Sequence, residues 1–150
     1  ILERHRAHIP VNLGKLASDL GLLVYKSNLS PGISGLIEPS NTAPSGYQIK
    51  LNRFESVERQ RFTLAHEIAH YLLHRFDIGG GVTDDVMYRS SLSDKKEVEA
   101  NRLASQIIMP LDEVQKAYKD LGNLDIVDKI DELARQFKVS KQAMQIRLGV

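Results

Sequence analysis

The pattern His-Glu-x-x-His at residues 66 to 70 constrains this chain more than any other feature of its sequence. It lies in a segment from Ser56 to about Phe76 whose apolar residues recur at helical spacing. Residues four apart on a helix lie on the same face, so the imidazoles of His66 and His70 can reach one metal ion. The spacing therefore predicts a long helix that carries two ligands of a metal site.

The residue types of this pattern suit hydrolysis at zinc. Imidazole nitrogens bind zinc at about 2.0 to 2.1 Å, and a site with three protein ligands leaves one position for water. Glu67 follows His66 directly, so its carboxylate can lie beside that water and accept its proton. The alternative is a pair of partly buried helical histidines that bind no metal. Apolar residues on both sides of the motif favour the metal, which needs dry and rigid surroundings.

The other histidines do not supply an obvious third ligand. The extended form of the pattern has a third His ten residues after the first, where this chain has Phe76, so that class of site is excluded. His74 lies two helical turns, about 11 Å, beyond His66, and we expect it to be a surface or packing residue, with contact to the substrate as the alternative. We expect His5 and His8 to be solvated.

A carboxylate from residues 95 to 110 is a better candidate for the third ligand. This predicted helix carries Glu97 and Glu99 and, four residues after Glu97, Asn101. One glutamate could bind the metal while Asn101 orients a ligating imidazole. The alternative is a solvated, charged helix start, which is normal for Glu in a first turn and holds for at least one of the two.

Composition restricts the remaining choices. The chain contains no cysteine, so disulfides and thiolate ligands are excluded and a metal must be bound by His and carboxylate. Its formal net charge of +1 provides no field that attracts nucleic acid. No apolar run approaches the roughly 20 residues of a membrane span, and the charged start lacks a signal-peptide pattern. We expect a cytoplasmic protein; because the first residue is Ile, whether the natural N-terminus is included stays open.

We predict a single α+β domain over residues 1–150, in which a small antiparallel sheet packs on the motif helix and a C-terminal helical bundle follows. Turn residues separate the predicted strands, and Ser or Asp residues precede several predicted helices. The predicted elements are a helix (11–20), three strands (22–26, 33–38, 46–52), the motif helix (56–76), a loop (77–93) with one short strand near 86–89, and helices within 94–148 (94–108, 111–120, 125–136, 140–148).

Two segments of the chain together resemble the ImmA/IrrE family of metallopeptidases, which is found in bacteria and mobile elements. TLAHEIAHYLLH is followed some 25 residues later by EVEANRLASQIIMP, and this is similar to the family's pairing of an HExxH helix with an E-x-x-A-N-x-F-A helix that ends in Met-Pro. The likeness extends to GLLVY, ISGLIE, GYQIKLN and the closing ARQFKVSKQAMQIRLGV. One departure is Leu103, where the family more often has Phe.

The resemblance implies a zincin-like fold in which His66, His70 and Glu97 bind Zn²⁺ and Glu67 is the catalytic acid and base. It also implies a protein substrate, namely a transcriptional repressor of the helix-turn-helix type whose cleavage switches genes on. The implied activity is regulatory proteolysis by a site-specific endopeptidase.

Helix geometry separates the two glutamates independently of the resemblance. Glu97 and Glu99 are two residues apart and point about 200° apart around the helix, so only one can face the metal. Asn101 lies one turn after Glu97 on the same face, at the edge of the predicted buried side. We therefore predict Glu97 as the ligand, Asn101 as the residue that orients a ligating His, and Glu99 as solvent-facing.

Contacts to the substrate are harder to predict. Tyr71, Tyr88 and Arg89 lie within or after the motif helix and are candidates to hydrogen-bond a substrate or an oxyanion. Tyr71 directly follows a ligand, which favours a packing role. We also expect a substrate strand to add to an exposed sheet edge, for which residues 46–52 are the candidate.

Two other functions compete with proteolysis. The segment IDELARQFKVSKQAMQIRL has the pattern of helix, turn and helix with basic residues nearby, which fits a DNA-binding regulator, although its apolar positions equally suit a packed helical hairpin. A sensory or stabilising metal site is the other alternative. Glu67 argues against it, because such a site has no use for a general base and is usually closed by four protein ligands.

Overall fold

The structure is a computed structural model that describes residues 2–85 and 92–150. All four strands lie before residue 86, with three helices among them, and the described elements after residue 92 are helices. The elements in chain order are α1 (Leu2–Arg6), α2 (Leu13–Asp19), β1 (Leu23–Ser27), β2 (Ile33–Pro39), β3 (Tyr47–Asn52), α3 (Val57–Ile78), β4 (Val82–Asp85), α4 (Asp94–Ile108), α5 (Leu111–Asp120), α6 (Ile126–Phe137) and α7 (Lys141–Leu148).

The strands form a mixed sheet in the order β1-β3-β2-β4. β3 pairs in parallel with β1 and antiparallel with β2, while β4 pairs antiparallel with β2. The predicted α+β class is confirmed, but the prediction of three antiparallel strands is wrong in the number of strands and in the direction of one pair. Residue alternation identifies a strand without showing which strands are neighbours.

β3 lies inside the sheet and has a hydrogen-bonded neighbour on each side. Its residues Ile49 and Leu51 are buried. The prediction that residues 46–52 offer an exposed edge to a substrate is therefore wrong. The two edges of the described sheet are β1 and β4.

β4 lies within the segment that the sequence predicts as a loop. Gly81 precedes it with φ +123°, and a Cβ atom there would lie 3.1 Å from the carbonyl oxygen of Ile37. Glycine thus allows the chain to run closely along β2 soon after α3 ends. In β4 the side chains of Val82 and Asp84 are buried and that of Thr83 is exposed, as strand alternation requires. The strand predicted near 86–89 lies outside the described residues.

α3 is the central helix of the fold. It begins after Ser56, whose hydroxyl accepts a hydrogen bond from the backbone N–H of Arg59. The helix packs against β2 and β3 on one side and against α4 on the other, so every residue from 63 to 71 is buried. A helix that is buried all round is normally apolar, yet this one carries the two histidines and the glutamate of the motif. Those polar groups therefore need partners inside the protein.

The last two helices form a packed hairpin. Its buried side chains include Leu133, Phe137 and Met144, which belong to the main hydrophobic core. Three of the four basic residues near this hairpin (Arg135, Lys138, Lys141 and Arg147) have side-chain partners within the chain: Arg135 with Glu132, Lys141 with Asp131, and Arg147 with the carbonyl oxygen of Met109. This arrangement favours packing over nucleic-acid binding. Over both described ranges, no helix is long and apolar enough to cross a membrane.

The contact between β2 and α3 depends on Gly35. A Cβ atom at this position would lie 2.6 Å from Cγ2 of Thr63 and 2.9 Å from the carbonyl oxygen of Lys50. We expect Gly35→Ala to lower the free energy of unfolding by about 1 to 3 kcal/mol, because α3 would have to move away from the sheet. At Gly80 the added Cβ would meet no atom within 4 Å. Gly80→Ala is therefore the control, expected within about 0.5 kcal/mol of wild type; equal stability of the two variants in urea denaturation would contradict this packing.

Candidate metal centre

The motif places three polar side chains within about one turn of α3. His66, Glu67 and His70 each have no exposed surface. The two imidazole rings lie edge to face with their centroids 4.5 Å apart. Because residues four apart share a helix face, both Nε2 atoms can point toward the same region beside the helix.

α4 brings Glu97 to that region. Its Oε2 lies 2.8 Å from Nε2 of His70, and its Oε1 lies 3.5 Å from Nε2 of His66. The predicted orientation of α4 agrees with this placement, since Glu97 is buried while the side chain of Glu99 is 47% exposed. The structure thus brings together the three residues predicted as ligands.

β4 adds a fourth group, Asp84, which the sequence reasoning missed. Its Oδ2 lies 3.5 Å from Nε2 of His66 and 3.8 Å from Nε2 of His70, and the residue has no exposed surface. The sequence predicts a loop over this segment, and a loop prediction does not indicate which way a side chain points. The alternation of Val82 and Asp84 was the available signal, because a carboxylate on the apolar side of a strand points into the core.

The donor set fits a divalent cation. One donor atom from each of His66, His70, Asp84 and Glu97 lies within 4.8 Å of the others, and tetrahedral ligands at zinc distances are roughly 3.3 Å apart. Among the described atoms, both carboxylate oxygens of Glu67, Asp84 and Glu97 and Nε2 of His70 make no hydrogen bond of acceptable geometry. Buried polar atoms without partners are costly, and a shared cation would satisfy several at once.

Asn101 contacts the far side of one imidazole. Its Oδ1 lies 2.9 Å from Nδ1 of His66. An amide oxygen only accepts, so Nδ1 carries the hydrogen and Nε2 keeps its lone pair for a metal. The structure therefore places Asn101 where its predicted orienting role requires.

A second chain of contacts runs behind His70. Its Nδ1 lies 3.1 Å from Nδ1 of His74, and Nε2 of His74 lies 3.1 Å from Oε1 of Glu99. If Nδ1 of His70 donates, His74 accepts there and donates its own Nε2 hydrogen to Glu99. His74 is buried and contacts His70, so the expectation of a surface or packing residue understated its role. Glu99 is partly exposed and contacts the site through His74. The sequence could not show that the backbone at His74 departs from helical geometry, with φ −128° and ψ 15°.

The remaining predicted residues are not part of this cluster. Tyr71 is buried in the hydrophobic core, where its ring packs on Tyr47 with the guanidinium of Arg75 over it. This is a packing role, and the alternative of a substrate contact is not supported. Tyr88 and Arg89 lie outside the described residues. His8 is exposed as expected, but the expectation for His5 is wrong: it is buried, with Nε2 2.8 Å from Oδ2 of Asp19.

Charges within the cluster shift the proton affinities of its members. Burial lowers the pKa of His66, but the carboxylates of Asp84 and Glu97 outweigh burial and raise that pKa to about 9. Burial, followed by the negative charges of Asp84 and Glu97, raises the pKa of Glu67 well above its usual range. Burial alone would raise the pKa of Glu97, but contact with His66 and His70 lowers it. Without a cation, the cluster therefore holds protons at neutral pH.

Comparisons with known proteins identify the family of the chain and a similar fold. The profile of a peptidase family, described as the IrrE N-terminal-like domain, matches residues 17–149. Among solved structures, a Mycobacterium tuberculosis transcriptional regulator has a similar fold, with a TM-score of 0.55 and 19% sequence identity. The match covers 92% of this chain and 40% of the regulator, so this chain spans well under half of that protein's length. A search of curated proteins finds no significant match.

The raised pKa of His66 leads to a prediction for the metal-free protein. A histidine whose pKa rises on folding contributes stability below its unfolded pKa of about 6.5, and this is lost as pH rises through about 9. The raised pKa of Glu67 acts in the same direction. We expect chelator-treated protein to lose about 3 kcal/mol of unfolding free energy between these pH values.

Zinc should abolish this decline, because a bound cation replaces the protons of the cluster. The measurement is chemical denaturation from pH 6 to 9.5 with chelator and with added zinc. His8→Ala, which changes an exposed histidine, is the control and should leave the slope unchanged. A metal-free protein whose stability stays level or rises across this range would contradict the proposed electrostatics.

Proposed function

The chain belongs to the IrrE N-terminal-like family of peptidases, and on that premise we propose that it is a zinc-dependent, site-specific endopeptidase. The observation that carries the proposal is the convergence of His66, His70 and Glu97 beside the buried carboxylate of Glu67. These are the groups that hydrolysis of a peptide bond at a metal requires. The cluster is also walled by α3, α4 and the sheet, which keeps bulk water from surrounding it.

We propose His66, His70 and Glu97 as the residues that hold Zn²⁺. Two imidazoles and one carboxylate form a donor set typical of catalytic zinc, and a chain without cysteine has no thiolate alternative. When bound, the metal would act as a Lewis acid on the scissile carbonyl and lower the pKa of the attacking water. Asn101 and His74 would keep the two imidazoles in the correct tautomer and orientation.

Glu67 is the proposed general base and acid. It follows His66 on α3, is completely buried and has a raised pKa, caused mainly by burial and then by the charge of Asp84. With the charges of Asp84 and Glu97 neutralised by a bound cation, Glu67 would be ionised and able to accept a proton from the attacking water. The same group can then deliver that proton to the leaving amide nitrogen.

The substrate is proposed to approach along the β4 side of the sheet. β4 is an edge strand and carries Asp84 at the metal centre, whereas β3 is covered on both sides. An extended peptide that pairs with the sheet on this side, next to β2, would pass the metal centre with its backbone held by main-chain hydrogen bonds. Such docking restricts cleavage to unfolded or extended segments, which suits a site-specific enzyme.

A helix-turn-helix transcriptional repressor is the proposed substrate, which would place the enzyme in the cytoplasm. Support comes from the family to which the chain belongs and from the sequence resemblance described above. Direct binding of nucleic acid is not proposed, because Arg135, Lys141 and Arg147 have partners within the chain. The cleaved repressor, not this protein, would be the component that touches DNA.

The general-base assignment predicts a separation of metal binding from activity. We expect Glu67→Gln to bind zinc as wild type does but to cleave a repressor encoded beside its gene at least about 100 times more slowly, because an amide cannot accept the proton. Cleavage is followed by gel electrophoresis and zinc by elemental analysis. Glu58→Gln, which changes an exposed glutamate in the first turn of α3, is the control and should cleave normally. Full activity of Glu67→Gln would refute the assignment.

A further inference from the structure

Asp84 has an environment that none of the proposed catalytic steps explains. Its side chain is completely buried, and within residues 2–85 and 92–150 neither of its oxygens makes a hydrogen bond of good geometry. Its Oδ2 faces Nε2 of both histidines, at 3.5 and 3.8 Å. A buried carboxylate is stable only when it is paired, protonated or bound to a metal. In the metal-free chain its nearest partners are the two imidazoles. Because those nitrogens are the predicted metal-binding atoms, a metal that replaces their protons would take over as the partner of Asp84.

The number of donors is the second observation. Zinc in proteins is usually bound by four ligands, and catalytic sites keep one of these positions for water. His66, His70 and Glu97 provide three donors, and Asp84 brings a fourth within 4.8 Å of them. Four protein donors are typical of a closed site that does not bind water. We propose that Asp84 is a fourth metal ligand that holds the centre closed, an inference that rests on the peptidase function proposed above.

β4 is the element of the site that can move most easily. Within the described residues it has four residues and pairs with β2 alone. The register of this pairing is irregular between Ile33 and Gly35, next to their partners Asp85 and Asp84. Residues 79–81, all glycine, precede the strand, whereas the other donors lie on helices of 22 and 15 residues. Short edge strands open at lower free energy than central helices, so Asp84 is the donor that leaves first.

Departure of β4 would prepare the site in two ways. The position that Asp84 vacates lies beside Glu67, where the attacking water must bind. The edge of β2 that pairs with β4 would become free for an extended segment of the substrate. In the closed enzyme, Asp84 therefore occupies the position of the water and β4 occupies the sheet edge that the substrate would use. A repressor segment must displace β4 in order to bind.

The first test measures coordination without any cleavage assay. The full chain is loaded with Co²⁺ in place of zinc, and azide is added while the visible absorption spectrum is recorded. With Asp84 as a ligand, wild type should show no azide-induced change, whereas Asp84→Ala should bind azide in the open position. Thr83→Ala, on the exposed side of the same strand, is the control and should behave as wild type does. An azide-induced change in wild type would overturn the proposal.

The second test measures zinc affinity by competition with a chromophoric chelator. Asp84→Ala should raise the zinc Kd at least about tenfold. Asp84→Asn keeps the volume of the side chain and should also weaken the binding of zinc. This second variant provides the test if the alanine variant folds poorly. Unchanged affinity in a folded Asp84→Asn variant would overturn the proposal.

Cleavage of the repressor at saturating zinc separates this proposal from the proposed function. Because the substrate competes with β4, release of the closed state should raise the kcat/KM of Asp84→Ala about tenfold or more if the open state of wild type is populated below about 10%. A kcat/KM that falls, with coordination unchanged, would make Asp84 a substrate or catalytic contact and overturn the proposal. If azide and zinc affinity respond as expected while no variant cleaves, the ligand assignment is supported and the peptidase function fails.

Discussion

Mutual repulsion among buried carboxylates is the constraint on which the rest of this structure depends. Glu67, Asp84 and Glu97 face one another and two imidazoles in the protein interior, where unpaired charge is strongly unfavourable. Protons can relieve part of that repulsion, and a divalent cation can relieve more. The packing of α3, α4 and β4 around one point is therefore best understood as the construction of a cation site.

The elements that carry the donor atoms differ in how firmly the surrounding structure holds them. α3 is buried along its central turns and fixes His66 and His70, and α4 fixes Glu97 from the facing side. Contacts behind the imidazoles, from Asn101 and His74, orient the donor atoms. Among the described strands, β4 has one neighbour, β2. A centre with three rigid donors and one weakly held donor can alternate between a closed and an open state while keeping its metal.

Much of the site could be predicted from the sequence, because helix geometry is local. The four-residue spacing placed His66 and His70 together, and the two-residue spacing separated Glu97 from Glu99. Strand pairing is not local, so the parallel pairing of β1 with β3 and the central position of β3 were missed. Asp84 was missed for the same reason, since a side chain has no predicted direction until its strand and neighbours are known. His74 could not be placed, because its contact with His70 accompanies a departure from helical backbone geometry.

The most direct test of the metal centre is the zinc Kd of wild type, Glu97→Ala and Glu99→Ala, measured by chelator competition at one pH. The two substitutions are chemically identical and lie two residues apart, so they differ in whether the lost carboxylate faces the two Nε2 atoms or His74. We predict tight binding by wild type, a Kd at least about 100 times higher for Glu97→Ala, and a change below about tenfold for Glu99→Ala. A larger loss for Glu99→Ala than for Glu97→Ala, or a wild-type chain that does not bind zinc, would contradict the account.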